Sequence, residues 1–206
     1  MTANLTPKAT FDFINVLSQA AAKYREPKSI RPSAEILVKA LLQAEKTAKQ
    51  QKLTYPFEFL LGKWQLCFVT GTKKNRGSGG IVLGNGFYVP RFMAIHVSFN
   101  ATLEQDSGRG EIANQVELNP VSLKLTGPVQ YFGKKNLLAF DFNQMIINLL
   151  GRVIYNRAIR AGKVKTEDFY NQPIAKLPFF GFFLVTKDFI AARGRGGGLA
   201  FWIRET

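Results

Sequence analysis

The stretch Ala94-Ile95-His96-Val97-Ser98-Phe99-Asn100-Ala101-Thr102-Leu103 decides the fold. Ile95, Val97, Phe99, Ala101 and Leu103 alternate with Ala94, His96, Ser98, Asn100 and Thr102. A period of two puts the apolar set on one face of a half-buried strand. The same texture runs outward on both sides. Ile112, Val116 and Leu118 alternate with Glu111, Gln115 and Glu117, and Leu123 and Leu125 sit between Ser122, Lys124 and Thr126. Leu138, Phe140 and Phe142 form another set, and Leu199, Phe201 and Ile203 a last one. Breaks at Gly84-Asn85-Gly86, Ser107-Gly108, Asn119-Pro120, Gly127-Pro128 and Gly133-Lys134 separate these runs. Many short strands at close spacing predict a barrel or sandwich, and sequential hairpins favour an up-and-down barrel.

Upstream of Tyr55-Pro56 the period changes. Thr6-Pro7 reads as a helix start, and Phe13, Leu17, Ala20 and Tyr24 recur at helical spacing. Pro27 and Pro32 bracket a break, Ser33 caps a second helix, and Ile36, Leu37, Ala40, Leu41 and Ala44 form its apolar stripe. Residues 1–54 are therefore expected to form a helical hairpin, followed by a mainly β domain over 57–206. One segment breaks the strand pattern. Asn143–Gly162 carries Met145, Ile146, Leu149, Leu150, Val153 and Ile154 among Arg152, Arg157 and Arg160, and is read as one additional helix weakened by Gly151.

Composition bounds the function. The chain has 206 residues, a net charge of +14 and 18 Phe, 6 Tyr and 2 Trp. So many costly aromatics imply a large core, an apolar ligand cavity, or both. The charge favours polyanionic partners, either nucleic acid or the anionic face of a membrane. Cys67 is the single cysteine, which excludes an intrachain disulfide and fits a reducing compartment. His96 is the single histidine, so no His-rich metal site is expected, and no nucleophile–base pair or carboxylate pair emerges from spacing. Met145–Leu150 and Pro178–Val185, the greasiest stretches, fall short of the ~20 apolar residues a helical span needs. The opening MTANLTPKATFDFINVLSQ has neither a signal-peptide pattern nor a transit-peptide texture. That fits a chain cytosolic from the start or one already processed.

Two motifs carry the most specific signal. Gly62-Lys63-Trp64, followed by Gln65-Leu66-Cys67-Phe68-Val69-Thr70, is similar to the Gly-x-Trp that opens the first strand of lipocalin and fatty-acid-binding barrels. In those barrels the tryptophan plugs one end, and an arginine near the chain end packs across its ring. Arg204 and Arg193 are the candidates here, since a guanidinium stacks on an indole face. Near the C-terminus, Phe180–Lys187, Asp188, Phe189–Ala192, Arg193-Gly194 and Gly198–Arg204 complete a second pattern. Together the two ends resemble the plastid lipid-associated protein (fibrillin) family of plants and cyanobacteria over residues 57–206. Departures are Phe68-Val69-Thr70 in place of that family's Tyr-Thr, and Val185-Thr186-Lys187-Asp188 in place of its Tyr-Leu-Asp.

The resemblance implies a lipocalin-like antiparallel barrel without catalytic residues; no metal or cofactor is expected. It implies a place at the thylakoid periphery, in a cyanobacterial cytoplasm or in a plastid, or on plastoglobule-like lipid bodies. The expected ligand is a carotenoid, quinone or fatty acid, held in a barrel interior that includes Trp64, Leu66, Phe68, Phe99, Phe140 and Phe201. Lys73, Lys74, Arg76, Arg152, Arg157 and Arg160 are the expected contacts with an anionic surface. The Arg193–Gly198 run also permits a nucleic-acid reading through an Arg-Gly loop. A tight hairpin turn is preferred, because apolar strands flank it. The Phe-rich run 179–183 is apolar on both faces, which the N-terminal helices are expected to explain by covering one of them.

Overall fold

The alternating stretch is a strand, and it belongs to a closed barrel. The structure, a computed structural model, describes residues 12–26, 30–74, 81–90, 92–102, 108–159 and 166–205, with backbone alone at 23–25, 73, 74, 81, 82, 166 and 167. Its strands are β1 (Gly62–Lys74), β2 (Ile81–Tyr88), β3 (Ala94–Ala101), β4 (Arg109–Leu118), β5 (Val121–Phe132) and β6 (Leu137–Phe140). Then follow β7 (Gln144–Leu149), β8 (Arg152–Ala158), β9 (Phe179–Val185), β10 (Phe189–Gly194) and β11 (Leu199–Arg204).

Eight of them close in the order β1-β3-β4-β5-β6-β9-β10-β11 and back to β1, every pair antiparallel. Within the barrel the strands follow chain order, so it is the expected up-and-down meander. Closure leaves no open sheet edge in the wall. Two excursions leave it. β1 pairs β3 through Gly62–Gln65 and then β2 through Phe68–Lys74. β5 pairs β7 through Val121–Thr126 and β6 through Val129–Phe132. The chain departs after β6 and returns at β9, where the Phe140 amide donates to the Pro178 carbonyl at 3.1 Å.

The helix expected over Asn143–Gly162 is instead the β7–β8 hairpin, and the additional helix lies further on, as α3 (Thr166–Tyr170). The physical reasons are visible in the residues. Met145, Ile147 and Leu149 also satisfy a period of two, and the β-branched Ile146, Ile147, Val153 and Ile154 favour extended backbone. Leu150 and Gly151 both adopt left-handed conformations, with φ of 52° and 76°. That pair makes a two-residue hairpin turn and ends any helix. The free edge of β5 supplies the hydrogen bonds that a helix would have made internally.

The N-terminal pair forms as read. In α1 (Phe13–Arg25) the Asp12 carboxylate accepts the Asn15 amide at 3.1 Å, and in α2 (Ala34–Gln51) the Ser33 hydroxyl accepts the Ile36 amide at 3.3 Å. The Thr6-Pro7 start lies outside the described residues. Both helices lie on the outer face of the barrel. Leu17, Ala20, Leu37, Ala40, Leu41 and Ala44 pack there against Cys67, Phe68, Phe183, Ala191, Leu199 and Phe201. A separate core fills the inside, with Trp64, Val97, Phe99, Ile112, Val129, Leu138, Phe182, Ile190 and Trp202. Phe182 points in and Phe183 points out to the helices, so β9 is apolar on both faces because both are covered.

One ion pair ties the helices to the barrel. Glu45 on α2 is buried, accepts from Arg193 Nε at 2.8 Å and Arg193 Nη2, and accepts from Lys49 Nζ at 3.0 Å. Burial alone would raise its carboxyl, but the hydrogen bonds and charges of Arg193 and Lys49 outweigh it and hold it below the ordinary carboxylate value. A depressed acid stabilises the fold above its unfolded pKa and loses that contribution as pH falls through the folded one. Arg193→Ala is expected to cost about 2 kcal/mol at neutral pH by leaving a buried carboxylate short of donors. In denaturant melts, the gap to wild type should shrink on acidification below the ordinary carboxylate range. A gap constant with pH would mean that the pair contributes packing alone.

Candidate functional site

Trp64 closes one end of the barrel. Its Nε1 donates to the Leu60 carbonyl at 2.7 Å, and the Arg204 guanidinium lies 3.9 Å over its ring. Arg204 spends its fork on three carbonyls: Lys187 at 2.7 Å, Leu61 at 3.0 Å and Phe59 at 3.1 Å. Gly62 explains the Gly-x-Trp spacing. Its φ is 112°, and a Cβ there would sit 2.8 Å from Arg204 Nη1, so the missing side chain lets the arginine reach across. Arg193, the other candidate for this stack, is excluded from it. It projects from the outer face of β10 toward Glu45, whereas Ile190 and Ala192 point inward.

Away from this plug the interior stays open. A cavity of about 250 Å3 lies toward the opposite end, walled by Leu66 and Val69 of β1, Ile95 and Val97 of β3, and Ile112 and Asn114 of β4. Phe140, Phe142, Phe180, Ala200 and Trp202 complete it. Asn114 is the single polar side chain among the described residues that line it. Such a site selects for apolar shape, with one amide to orient a polar group.

The six residues expected inside divide three ways. Leu66 and Phe140 line the cavity. Trp64 and Phe99 are inside but packed at the filled end, where Phe99 meets Phe182 edge to face. Phe68 and Phe201 are corrections: both lie outside, under the helices. The pairing of β1 with β11 slips between Leu66 and Phe68, a bulge that turns Cys67 and Phe68 outward together and returns Val69 to the inside. On β11 it is Trp202, not Phe201, that faces the cavity. The signal was present, since Trp202 lies two residues from Arg204 and must share its inward face. Val69, Ile95, Phe142 and Phe180 were also missed.

Of the expected surface cations, Arg152 and Arg157 stand exposed on β8. Arg76, Arg160 and the side chains of Lys73 and Lys74 lie outside the described residues. The Arg-Gly run is a hairpin turn: Gly197 N donates to Gly194 O at 2.8 Å, and Gly194 N to Gly198 O at 2.9 Å. Arg195 Nη1 donates to the carbonyls of Lys176 at 3.0 Å and Leu177 at 3.3 Å. Beside this turn, between α2 and β9–β10, a depression of about 600 Å3 carries Lys49, Lys52, Lys134, Lys135 and Arg195. His96 points out of the barrel, with Nε2 3.5 Å from Glu205. Burial and Lys63 hold its pKa below the usual histidine value, outweighing Glu205 and Glu117. Burial also pushes the Cys67 thiol up, away from thiolate chemistry. Among the described residues no group of three or more His, Cys, Asp or Glu is placed to hold a metal, and no helix is long and apolar enough to cross a membrane.

Fold and site define a closed antiparallel barrel plugged by a Trp–Arg stack at one end and hollow and apolar toward the other. Comparison with protein-family models, curated proteins and solved structures finds no match to this chain.

The stack sets the geometry of the whole plugged end. Arg204→Lys keeps the charge but loses the planar fork and most of its three carbonyl contacts, an expected loss of roughly 2 kcal/mol. Near-UV circular dichroism should show a changed Trp64 environment alongside the lower melting point. Unchanged spectra and stability would mean that the stack is incidental.

Proposed function

We propose that this chain is a non-enzymatic binder of a lipid or another apolar small molecule, acting at an anionic membrane or lipid-body surface. The cavity carries this reading: an uncharged pocket of about 250 Å3 inside a barrel that has rings enough to fill it. Ligand pockets run from ~300 Å3 upward, so a space of this size suits one segment of an acyl or prenyl chain rather than a whole carotenoid. Burial at ~25 cal/mol per Å2 gives such a segment useful affinity without elaborate polar recognition. The +14 charge supports a negatively charged surface as the place of action. Kinship with the plastid lipid-associated proteins, and with it a thylakoid or plastoglobule location, is part of the same proposal.

Bromine on an acyl chain quenches indole at contact, and the two tryptophans sit in different places. A brominated fatty acid should quench Trp202, which lines the cavity, and leave Trp64 bright at the plugged end. Trp202→Phe should then abolish the quenching. Mass spectrometry of an apolar extract should also recover a lipid, quinone or carotenoid from protein purified without detergent. Protein that neither quenches nor carries any apolar molecule would end this reading.

A polyanion such as single-stranded nucleic acid is the second reading. The observation that favours it is the basic depression around Lys49, Lys52, Lys134, Lys135 and Arg195. It predicts a gel shift that survives physiological salt, whereas the lipid reading predicts that any shift is lost there.

A further inference from the structure

We propose that the β7–β8 hairpin is a membrane arm whose tip enters an anionic lipid surface, and that the apolar face behind it guides a lipid chain into the barrel cavity. The inference rests on the lipid reading above and names the element that meets the bilayer.

The arm begins where the barrel stops. β7 and β8 extend the sheet from the half of β5 that β6 does not pair, and β8 has β7 as its neighbour in the sheet. All seven residues of β8 are exposed. The tip is apolar: Leu150, Val153 and Ile154 are 77%, 61% and 60% exposed. Leu150 is also the wrong residue for its backbone. With φ at 52°, it occupies a left-handed turn position where glycine or asparagine is strain-free. A leucine that is strained and uncovered at the end of an arm marks a site whose selection lies outside the isolated fold.

Behind the tip, strand register makes the face continuous with the cavity. One row runs Val97, Asn114, Leu125, Met145 and Arg157 across five strands, and its first two members line the cavity. The next runs Ile95, Val116, Leu123, Ile147 and Tyr155, and Ile95 again lines the cavity. The last, Leu118, Val121, Leu149 and Arg152, reaches the tip. Val121, Leu123 and Leu125 stand at even spacing from Val129, which points into the barrel, so these rows share its inner face. The Leu150 amide donates to the Pro120 carbonyl at 2.9 Å, holding the β4–β5 turn beside the arm's tip.

Charge chooses the occupant. From 142 to 166 the sequence has Arg152, Arg157, Arg160, Lys163 and Lys165 and no Asp or Glu. Apolar tip residues beside arginines suit the boundary between acyl chains and lipid phosphates, where long cationic side chains reach back to the headgroups.

The test is sedimentation of the full chain with phosphatidylcholine vesicles, with and without phosphatidylglycerol. Wild type should bind the anionic vesicles. Arg152→Ala with Arg157→Ala should weaken that binding on the order of 30-fold, the conversion of two basic contacts. Leu150→Asp with Val153→Asp should remove it. The Leu150/Val153 variant should keep the wild-type melting point and the Trp202 quenching by monomeric brominated fatty acid in vesicle-free solution, since neither residue stands in the rows that run to the cavity. Quenching retained while vesicle binding is unchanged in the tip variants overturns the arm but not the barrel ligand. Wild type that ignores anionic vesicles also overturns it. So does a wild-type dimer that the tip variants dissociate with no change in vesicle binding, which would assign the face to a second copy.

Discussion

The guanidinium of Arg204, laid across the Trp64 ring, joins the first strand of the barrel to the last. Its three hydrogen bonds go to carbonyls of Phe59, Leu61 and Lys187, so a single cation gathers the approach to β1, the β9–β10 connection and the end of β11. Gly62 must be small and must take a positive φ for this to happen. With that end filled by indole, Phe57 and Leu60, the cavity lies toward the other end, so its position follows from the position of the plug.

A barrel this small has two sides to satisfy. The inside is filled with aromatic and branched residues, while β9, β10 and β11 present a second apolar layer outward to α1 and α2. The alanines Ala20, Ala40 and Ala44 bring the helices close, and the Glu45–Arg193 pair fixes their register on the wall. Because α2 engages Arg193, the Arg-Gly turn is structural at its first arginine, whatever its neighbours bind.

Much of this was legible in the residues. Strand alternation, the Ser33 cap, the helical pair and the Trp64–Arg204 stack all arise from local pattern or from two matched ends, and all appear in the structure. What escaped has specific causes. The face of Phe68 departs from strand alternation because a bulge at Cys67 inverts the parity of β1, and nothing in Leu66-Cys67-Phe68 announces it. The β7–β8 hairpin reads as a helix because apolar residues at 145, 146, 149, 150, 153 and 154 satisfy the longer period as well as residues 145, 147 and 149 satisfy the shorter. The arbiter was Leu150-Gly151 and the waiting edge of β5, a nonlocal partner that no window on the sequence contains.

The junction between Phe140 and Pro178 has a consequence for how this chain can change. Since the exit from β6 and the return to β9 already touch through a hydrogen bond, everything between them hangs from a closed base and, apart from Phe142 in the cavity wall, stands outside the eight-stranded hoop. Such a loop-out behaves as a cassette. Beyond Phe142 it can lengthen, shorten or be exchanged for another while the eight staves of the barrel keep their neighbours, so the wall and its excursion are free to evolve on separate schedules.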